Sequence, residues 1–177
     1  MSDVSIVRLS SFEARLNAQK ISREGEDIAF EADEDARKEL VETLELPGVS
    51  AVSAKLEIRR GPYRGWRVTG TILADLSQVC VVSLEPFDVK VETELAVNFV
   101  PENEFESIAA HAEDEEAEDI EPFENGDIPI GALIRDTISL SLDPYPRKPG
   151  VELPEGFGDE EKTPSPFAAL QQLKDRG

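Results

Sequence analysis

The clearest pattern in the chain is an alternation of apolar and polar positions between residues 51 and 100. The first run covers 52–59, the second 66–74 and the third 88–99, and turn-forming residues separate the first two at 61–65. The apolar positions are Val52, Ala54, Leu56, Ile58, Trp66, Val68, Ile72, Ala74, Val89, Val91, Leu95, Val97 and Phe99. Alternation with a period of two is typical of strands that bury one face. The sequence therefore predicts an antiparallel meander whose first two strands form a hairpin.

Two short strands and a helix are predicted before the meander. The runs 4–9 and 27–31 are rich in branched and apolar residues, which favours strands. Asp33 is a suitable N-cap, acidic residues follow it, and apolar residues then recur at helical spacing as far as Leu44. We expect this helix to end at Leu46-Pro47-Gly48.

The chain after the meander is more irregular. Residues 102–127 are acidic and poor in apolar side chains, and we expect a loop or a disordered segment there. Asp127 can cap a following helix that has Pro129 in its first turn and an apolar stripe along one side. These elements predict an α+β fold, with an antiparallel sheet of five to seven strands that is open or partly closed into a barrel. Two or three helices should cover one side of it.

Composition indicates one globular domain with an appendage. Apolar residues including glycine make up about 46% of the 177 residues, which is ordinary for a folded chain. We assign residues 1–148 to the domain, and residues 149–177 to a proline- and acid-rich linker with a short terminal helix. No stretch approaches the roughly 18 to 20 apolar residues of a membrane span, and the start lacks a signal-peptide pattern. We expect a cytoplasmic monomer without membrane contact.

Several classes of chemistry are excluded or unsupported. One cysteine, Cys80, and one histidine, His111, cannot form an internal disulfide or an all-Cys/His zinc site. The histidine lies in the acidic segment, away from any predicted apolar pocket, so a nucleophile–base pair is not expected. No phosphate-loop or calcium-loop motif is present. We therefore predict a protein that is not an enzyme and uses no cofactor or metal. Cys80 is predicted to be a small buried apolar residue.

A set of short motifs then follows in a fixed order along the chain. They are Cys80-Val-Val-Ser-Leu-Glu-Pro-Phe87, Phe99-Val-Pro-Glu102, the acidic segment, Asp127-Ile-Pro-Ile-Gly-Ala-Leu133, Asp143-Pro-Tyr-Pro-Arg-Lys-Pro149 and Ser165-Pro-Phe-Ala-Ala-Leu-Gln-Gln-Leu-Lys174. In this order and spacing the chain resembles the YceD-like family, bacterial and plastid proteins named for large ribosomal RNA subunit accumulation. The resemblance covers nearly the whole chain, most securely 50–174.

This resemblance implies a role in processing or accumulation of the large-subunit (23S) ribosomal RNA, with no catalytic residues to carry over. Many members have a second cysteine three positions after the first, where this chain has Ser83. A metal or redox role that needs a cysteine pair is therefore not carried over. The leading hypothesis is a ribosome biogenesis factor that binds large-subunit rRNA or a precursor particle.

The candidate RNA-binding residues form a basic cluster within the hairpin. They are Lys55, Arg59, Arg60, Tyr63, Arg64, Trp66 and Arg67, and the segment 55–67 carries a net charge of +4 in 13 residues. Guanidinium groups suit phosphate contacts, and the aromatic rings could stack on bases. In the alternative interpretation these cations pair with the acidic helix at 33–45 or with the acidic run 113–119, and Trp66 lies in the core. Arg147 and Lys148 are two further candidate phosphate contacts.

The acidic segment and the terminal segment each allow more than one interpretation. The formal net charge is −20, of which residues 102–127 contribute −12 without any lysine or arginine. This segment is a solvated loop, a surface for a basic ribosomal protein, or a phosphate mimic that occupies the hairpin until RNA displaces it. The second of these makes the protein an acidic chaperone or adaptor. Phe167, Leu170 and Leu173 either dock on the domain's own core or anchor the chain in a partner's groove.

Overall fold

The computed structural model of the chain describes residues 5–109 and 119–152. In chain order the strands and helices of these residues are β1 (Ser5–Leu9), β2 (Leu16–Asn17), β3 (Glu26–Ala32), α1 (Glu34–Thr43), β4 (Gly48–Arg60), β5 (Trp66–Val79), β6 (Pro86–Pro101), α2 (Glu102–Ala109), β7 (Ile120–Phe123), β8 (Asp127–Ile128) and α3 (Ile130–Ser141). Within the described ranges, no helix is both long enough and apolar enough to cross a membrane.

Six strands form one mixed sheet in the order β1-β3-β4-β5-β6-β7, and β2 pairs with β8 in a second, two-stranded sheet. The pairs β4–β5 and β5–β6 are antiparallel, as the alternating pattern predicted, and β3–β4 is antiparallel as well. The outer pairs β1–β3 and β6–β7 are parallel. The predicted α+β fold is confirmed. The sheet is mixed rather than wholly antiparallel, and in the described part of the chain it is open, with β1 and β7 as its edges.

The core lies on one face of this sheet. Most of the side chains that β4, β5 and β6 direct to this face are buried there, together with Phe12 and the inward sides of α1 and α3. Helix α3 contributes Ile130, Ile134 and Ile138, each at most 1% exposed. Helical spacing places these three residues on one stripe, so the predicted apolar face of this helix is confirmed.

The two predicted helix starts have different outcomes. Asp33 caps α1, and its carboxylate accepts hydrogen bonds from the backbone N–H groups of Asp35 and Ala36. Helix α3 instead has Pro129 at its N-cap position, without a side-chain cap. The predicted cap, Asp127, lies in β8, where its carboxylate accepts a hydrogen bond from the amide of Asn17 at 2.9 Å. Pairing with β2 therefore takes the residue that was expected to cap α3.

The acidic segment is more ordered than predicted at both of its ends. The loop expected over 102–127 contains α2 and the strands β7 and β8, while 110–118 is not among the described residues. Glu102 and Glu104 in the first turn suit the positive end of the helix dipole. Ile108 is buried, and so is Val100, on the face of β6 opposite Phe99. These buried residues explain why an acidic sequence folds here.

Strand β5 connects the two ends of the sheet. It spans 14 residues, or about 43 Å measured along the strand. At its start it joins β4 through the hairpin tip, residues 61–65, and at its end it joins β6 through the turn 80–85. Near its middle is Gly70, where an added Cβ would lie 2.0 Å from the carbonyl oxygen of Lys55. Glycine at this position permits the close approach of β4 and β5.

Candidate nucleic-acid interface

The hairpin tip is a tight turn closed by two backbone hydrogen bonds. The N–H of Gly61 donates to the carbonyl of Gly65 at 3.1 Å, and the N–H of Gly65 donates to the carbonyl of Pro62 at 2.8 Å. The two central residues, Tyr63 and Arg64, have φ angles of 54° and 57°. Positive φ at both central positions defines a type I′ turn. For residues with a Cβ the left-handed conformation costs about 1–2 kcal/mol each.

A second turn in the same chain has the residue pair that a type I′ turn ordinarily favours. Asn125 and Gly126 have φ angles of 54° and 79°, and the N–H of Asp127 donates to the carbonyl of Glu124 at 2.8 Å. Asn-Gly is the pair that type I′ turns favour. The hairpin tip adopts the same conformation with a tyrosine and an arginine. Its sequence is thus unfavourable for the turn itself.

Both central side chains of the tip point into solvent. Tyr63 is 54% exposed, and the side chain of Arg64 is 84% exposed. The tip therefore presents a phenol ring beside a guanidinium group, at a place where neither contributes to the core. An exposed ring can stack on a base, and a guanidinium group can bind phosphate with two parallel hydrogen bonds.

Trp66 has a different position from the other predicted RNA-binding residues. It is 3% exposed and lies on the core face of β5, opposite Phe99 in register. The guanidinium carbon of Arg60 lies 4.0 Å from the centroid of the indole ring. The indole is therefore a core residue covered by an arginine, and it is not open to a base. Arg60 itself is exposed and extends the basic surface of the tip.

Arg59 is held by neighbouring acidic and carbonyl groups. Its guanidinium lies 2.5 Å from the carboxylate of Asp27 and 3.6 Å from that of Glu57, and it donates to the carbonyl of Glu26 at 3.0 Å. These partners lie on β3 and β4, not on the acidic helix or the run 113–119 that the alternative interpretation named. Arg59 is half-buried and acts as a strand-to-strand contact in this structure.

Arg64 forms an ion pair with Glu104 of α2. The first turn of this acidic helix is thereby held beside the tip. The two residues are 40 positions apart in sequence, and nothing in the local pattern around Glu104 distinguishes it from the other acidic residues of 102–127. Sequence reasoning therefore missed it, although the phosphate-mimic interpretation foresaw a contact of this kind.

The remaining predicted residues are distributed over the molecule. Lys55 is exposed and Arg67 half-buried, both on the sheet face opposite the core. Arg147 is exposed, but Lys148 binds the carboxylate of Glu85 at 2.9 Å in the turn at the far end of β5. The structure thus brings Arg60, Tyr63 and Arg64 together at the tip. It leaves the pair at 147–148 at the opposite end, and Phe167, Leu170 and Leu173 are not among the described residues.

Cys80 is buried, as predicted, but its surroundings are polar. The N–H of Ser83 donates to the sulfur at 3.4 Å. Hydrogen bonds from the Ser83 hydroxyl and from the backbone N–H groups of Ser83, Lys148 and Val82 lower the pKa of the Cys80 thiol to about 6, against the opposing effect of burial. Ser83 is the largest contributor among these donors and therefore stabilises the thiolate.

This thiol provides a prediction about pH. Thiolate ultraviolet absorbance of the folded chain should titrate near pH 6, as against about 8.5 for an unfolded cysteine. Because the folded pKa is the lower one, the thiolate's contribution to stability is lost as the pH falls through 6 and is complete above about 8.5. Chemical denaturation should show that the free energy of unfolding of the wild type, relative to Cys80→Ala, increases as the pH rises through this interval. An ordinary or raised titration midpoint in the folded chain would contradict this environment.

Comparison with known proteins assigns the chain to a family. The family model described as "Large ribosomal RNA subunit accumulation protein YceD" matches residues 68–174, which is more than half of the chain. No curated protein and no solved structure matches the chain. The matched region begins within β5, three residues after the hairpin tip, and includes α2, α3 and the turn that contains Cys80. The chain therefore belongs to the family of large ribosomal RNA subunit accumulation proteins, as its sequence motifs predicted.

Proposed function

We propose that this protein is a non-enzymatic ribosome assembly factor that contacts large-subunit rRNA, free or in a precursor particle, through its hairpin tip. Family membership relates the chain to accumulation of the large ribosomal subunit RNA. The observation that carries the proposal is the tip itself, where Tyr63 and Arg64 are exposed in a left-handed turn that disfavours both. The proposal implies a cytoplasmic protein.

The chemistry of the tip suits unpaired nucleotides more than a regular duplex. RNA helices hide their base edges in a narrow groove, whereas loops and bulges offer bases that can stack on an aromatic ring. Stacking of one base on Tyr63 is worth about 1–3 kcal/mol. Arg60 and Arg64 lie on either side of this ring in sequence and can bind the flanking phosphates.

The acidic character of the chain is compatible with this contact because the charges are separated. Much of the negative charge lies in residues 102–127, whereas the tip is locally basic. The ion pair between Arg64 and Glu104 puts one carboxylate where an RNA phosphate would bind. RNA must therefore displace Glu104 from Arg64, which reduces affinity and favours ligands that also stack on Tyr63.

Glu104→Gln is accordingly expected to raise the affinity for RNA about threefold at low salt. An exposed ion pair of this kind is worth about 0.2–1 kcal/mol, and the substitution removes that competing interaction. The matched control is Glu106→Gln, which removes the same charge from an exposed position on the same helix. Equal gains in the two variants would assign the effect to net charge and not to the ion pair.

The proposal is tested by binding of the full chain to 23S rRNA fragments and to basic ribosomal proteins across a salt series. RNA affinity should fall with salt at a slope of about −1.4 on logarithmic axes, because two phosphate contacts contribute about 0.7 each for single strands. Tight capture of a ribosomal protein with no RNA binding at any salt concentration would reject the proposal. That outcome would favour the acidic chaperone instead.

A further inference from the structure

The far end of the sheet, opposite the hairpin tip, exposes a group of large apolar side chains. Leu84 and Tyr145 are 75% and 73% exposed, and Val79 and Val81 are also exposed. We call these four residues the turn-end surface. Three of them lie in or beside the turn 80–85, and Tyr145 lies in the segment that follows α3.

Hydrogen bonds hold the two segments of this surface together. The N–H of Val81 donates to the carbonyl of Pro146 at 2.9 Å. On either side of that bond, the ammonium of Lys148 contacts Glu85 at 2.9 Å and the side-chain amide of Gln78 donates to the carbonyl of Asp143 at 3.0 Å. These contacts fix the two segments relative to one another before any ligand arrives, so the surface itself would lose little ordering entropy on binding.

The turn keeps Leu84 exposed in an unfavourable conformation. Its φ angle is 58°, in the left-handed region, which is unfavourable for a leucine. The N–H of Leu84 donates to the carbonyl of Cys80 at 2.9 Å, which fixes it in this position. Burial of the side chain could offset this backbone strain, but Leu84 is exposed. The missing burial indicates that another segment covers this surface.

We propose that the turn-end surface binds residues 166–174 of the same chain. This segment has Phe167, Leu170 and Leu173 at intervals of three, which places them on one side of a helix. The described structure ends at Glu152, four residues beyond Lys148, which is itself anchored to the turn. The connection that leads to this segment therefore leaves the described structure a few residues from the turn.

Linker length and charge also favour this occupant. Residues 153–165 span about 20 Å as a flexible chain and about 45 Å when extended, so the segment can reach a surface beside its own attachment point. Tethering at this distance gives an effective concentration in the millimolar range, which makes a small apolar contact sufficient. The segment ends with the cationic Lys174, whereas Asp88 and Asp143 are exposed near the surface.

This contact is independent of the proposed RNA interface, which lies at the other end of β5. It is tested by NMR relaxation of the backbone amides of residues 166–174 in the full chain. Bound to the domain, these amides should have order parameters near 0.8, and Leu84→Asp should lower them below about 0.6. Leu84 is exposed and aspartate tolerates the left-handed region, so this variant should fold. The control is Ile6→Asp, which changes an exposed apolar residue on the edge strand β1. It should leave the order parameters of 166–174 unchanged.

Each alternative occupant has its own result in this experiment. Order parameters below about 0.6 in the wild type would overturn the proposal, including the case where order appears only when a ribosomal particle is added. Order that depends on protein concentration would assign the contact to a second copy and would also overturn it. Order that survives Leu84→Asp would place the segment elsewhere on the domain and likewise contradict the proposal.

Discussion

Replacing Trp66 with alanine is expected to lower the free energy of unfolding by about 3–5 kcal/mol, as for other buried aromatic residues. The indole is 3% exposed, packs within the core cluster and carries Arg60 over its ring. The loss therefore combines a cavity with a cation–π contact of about 0.5–1 kcal/mol. Chemical denaturation measures the change, and Trp66→Phe should lose distinctly less because it retains most of the buried volume.

Replacing Tyr63 with alanine, by contrast, should change the free energy of unfolding by about 0.5 kcal/mol or less, because this ring is exposed. The two aromatic residues of the hairpin thus separate a core role from a surface role. Since Trp66 is the only tryptophan, its fluorescence reports on the core and should not be quenched when RNA binds. Strong quenching by RNA, or similar stability losses in both alanine variants, would contradict this assignment.

The double variant Tyr63→Asn with Arg64→Gly is expected to be more stable than the wild type and to bind RNA about 100-fold less tightly. Asn-Gly relieves the strain of the type I′ turn, while the lost ion pair with Glu104 offsets less than about 1 kcal/mol of that gain. The net increase in the free energy of unfolding is about 1 kcal/mol. The fall in affinity combines one stacking contact and one phosphate contact. Denaturation and RNA titration under the same conditions measure both changes.

The second type I′ turn supplies the control for this experiment. Asn125→Tyr with Gly126→Arg places the tip's residues in the same conformation away from the hairpin. An added Cβ at Gly126 would come no nearer than 3.7 Å to the side chain of Gln19, so strain and not a clash should determine the result. We expect a loss of about 2 kcal/mol in stability and unchanged RNA affinity. If the tip variant lost both stability and affinity, the strain argument would be wrong.

Local patterns in the sequence predicted much of this fold. Alternation placed β4, β5 and β6, and the cap at Asp33 placed the start of α1, because these features depend on neighbouring residues. The parallel edges formed by β1 and β7 depend on which strands meet after long connections, and no local pattern encodes that choice. Helix α2 was missed because its acidic composition outweighed the two apolar residues, Phe105 and Ile108, that lie three apart.

The candidate site was predicted in composition but not in arrangement. The sequence placed cations and aromatic residues in one hairpin, and alternation already put Trp66 on the apolar face. It could not show that Arg59 would be held by Asp27, since that contact depends on the pairing of β3 with β4. Nor could it show the left-handed conformation of Tyr63 and Arg64, because Pro-Tyr-Arg-Gly resembles no favoured type I′ sequence.

The most direct test of the central claim is ultraviolet cross-linking of the full chain to large-subunit precursor particles, followed by mapping of the cross-linked peptides. We predict that rRNA is attached at the hairpin tip, residues 61–65, with Tyr63 as the principal site because its ring is exposed and can stack on a base. Cross-links should disappear in the Tyr63→Asn, Arg64→Gly variant. Attachment of rRNA only at other positions, or co-sedimentation with the particle without any RNA cross-link, would contradict the account.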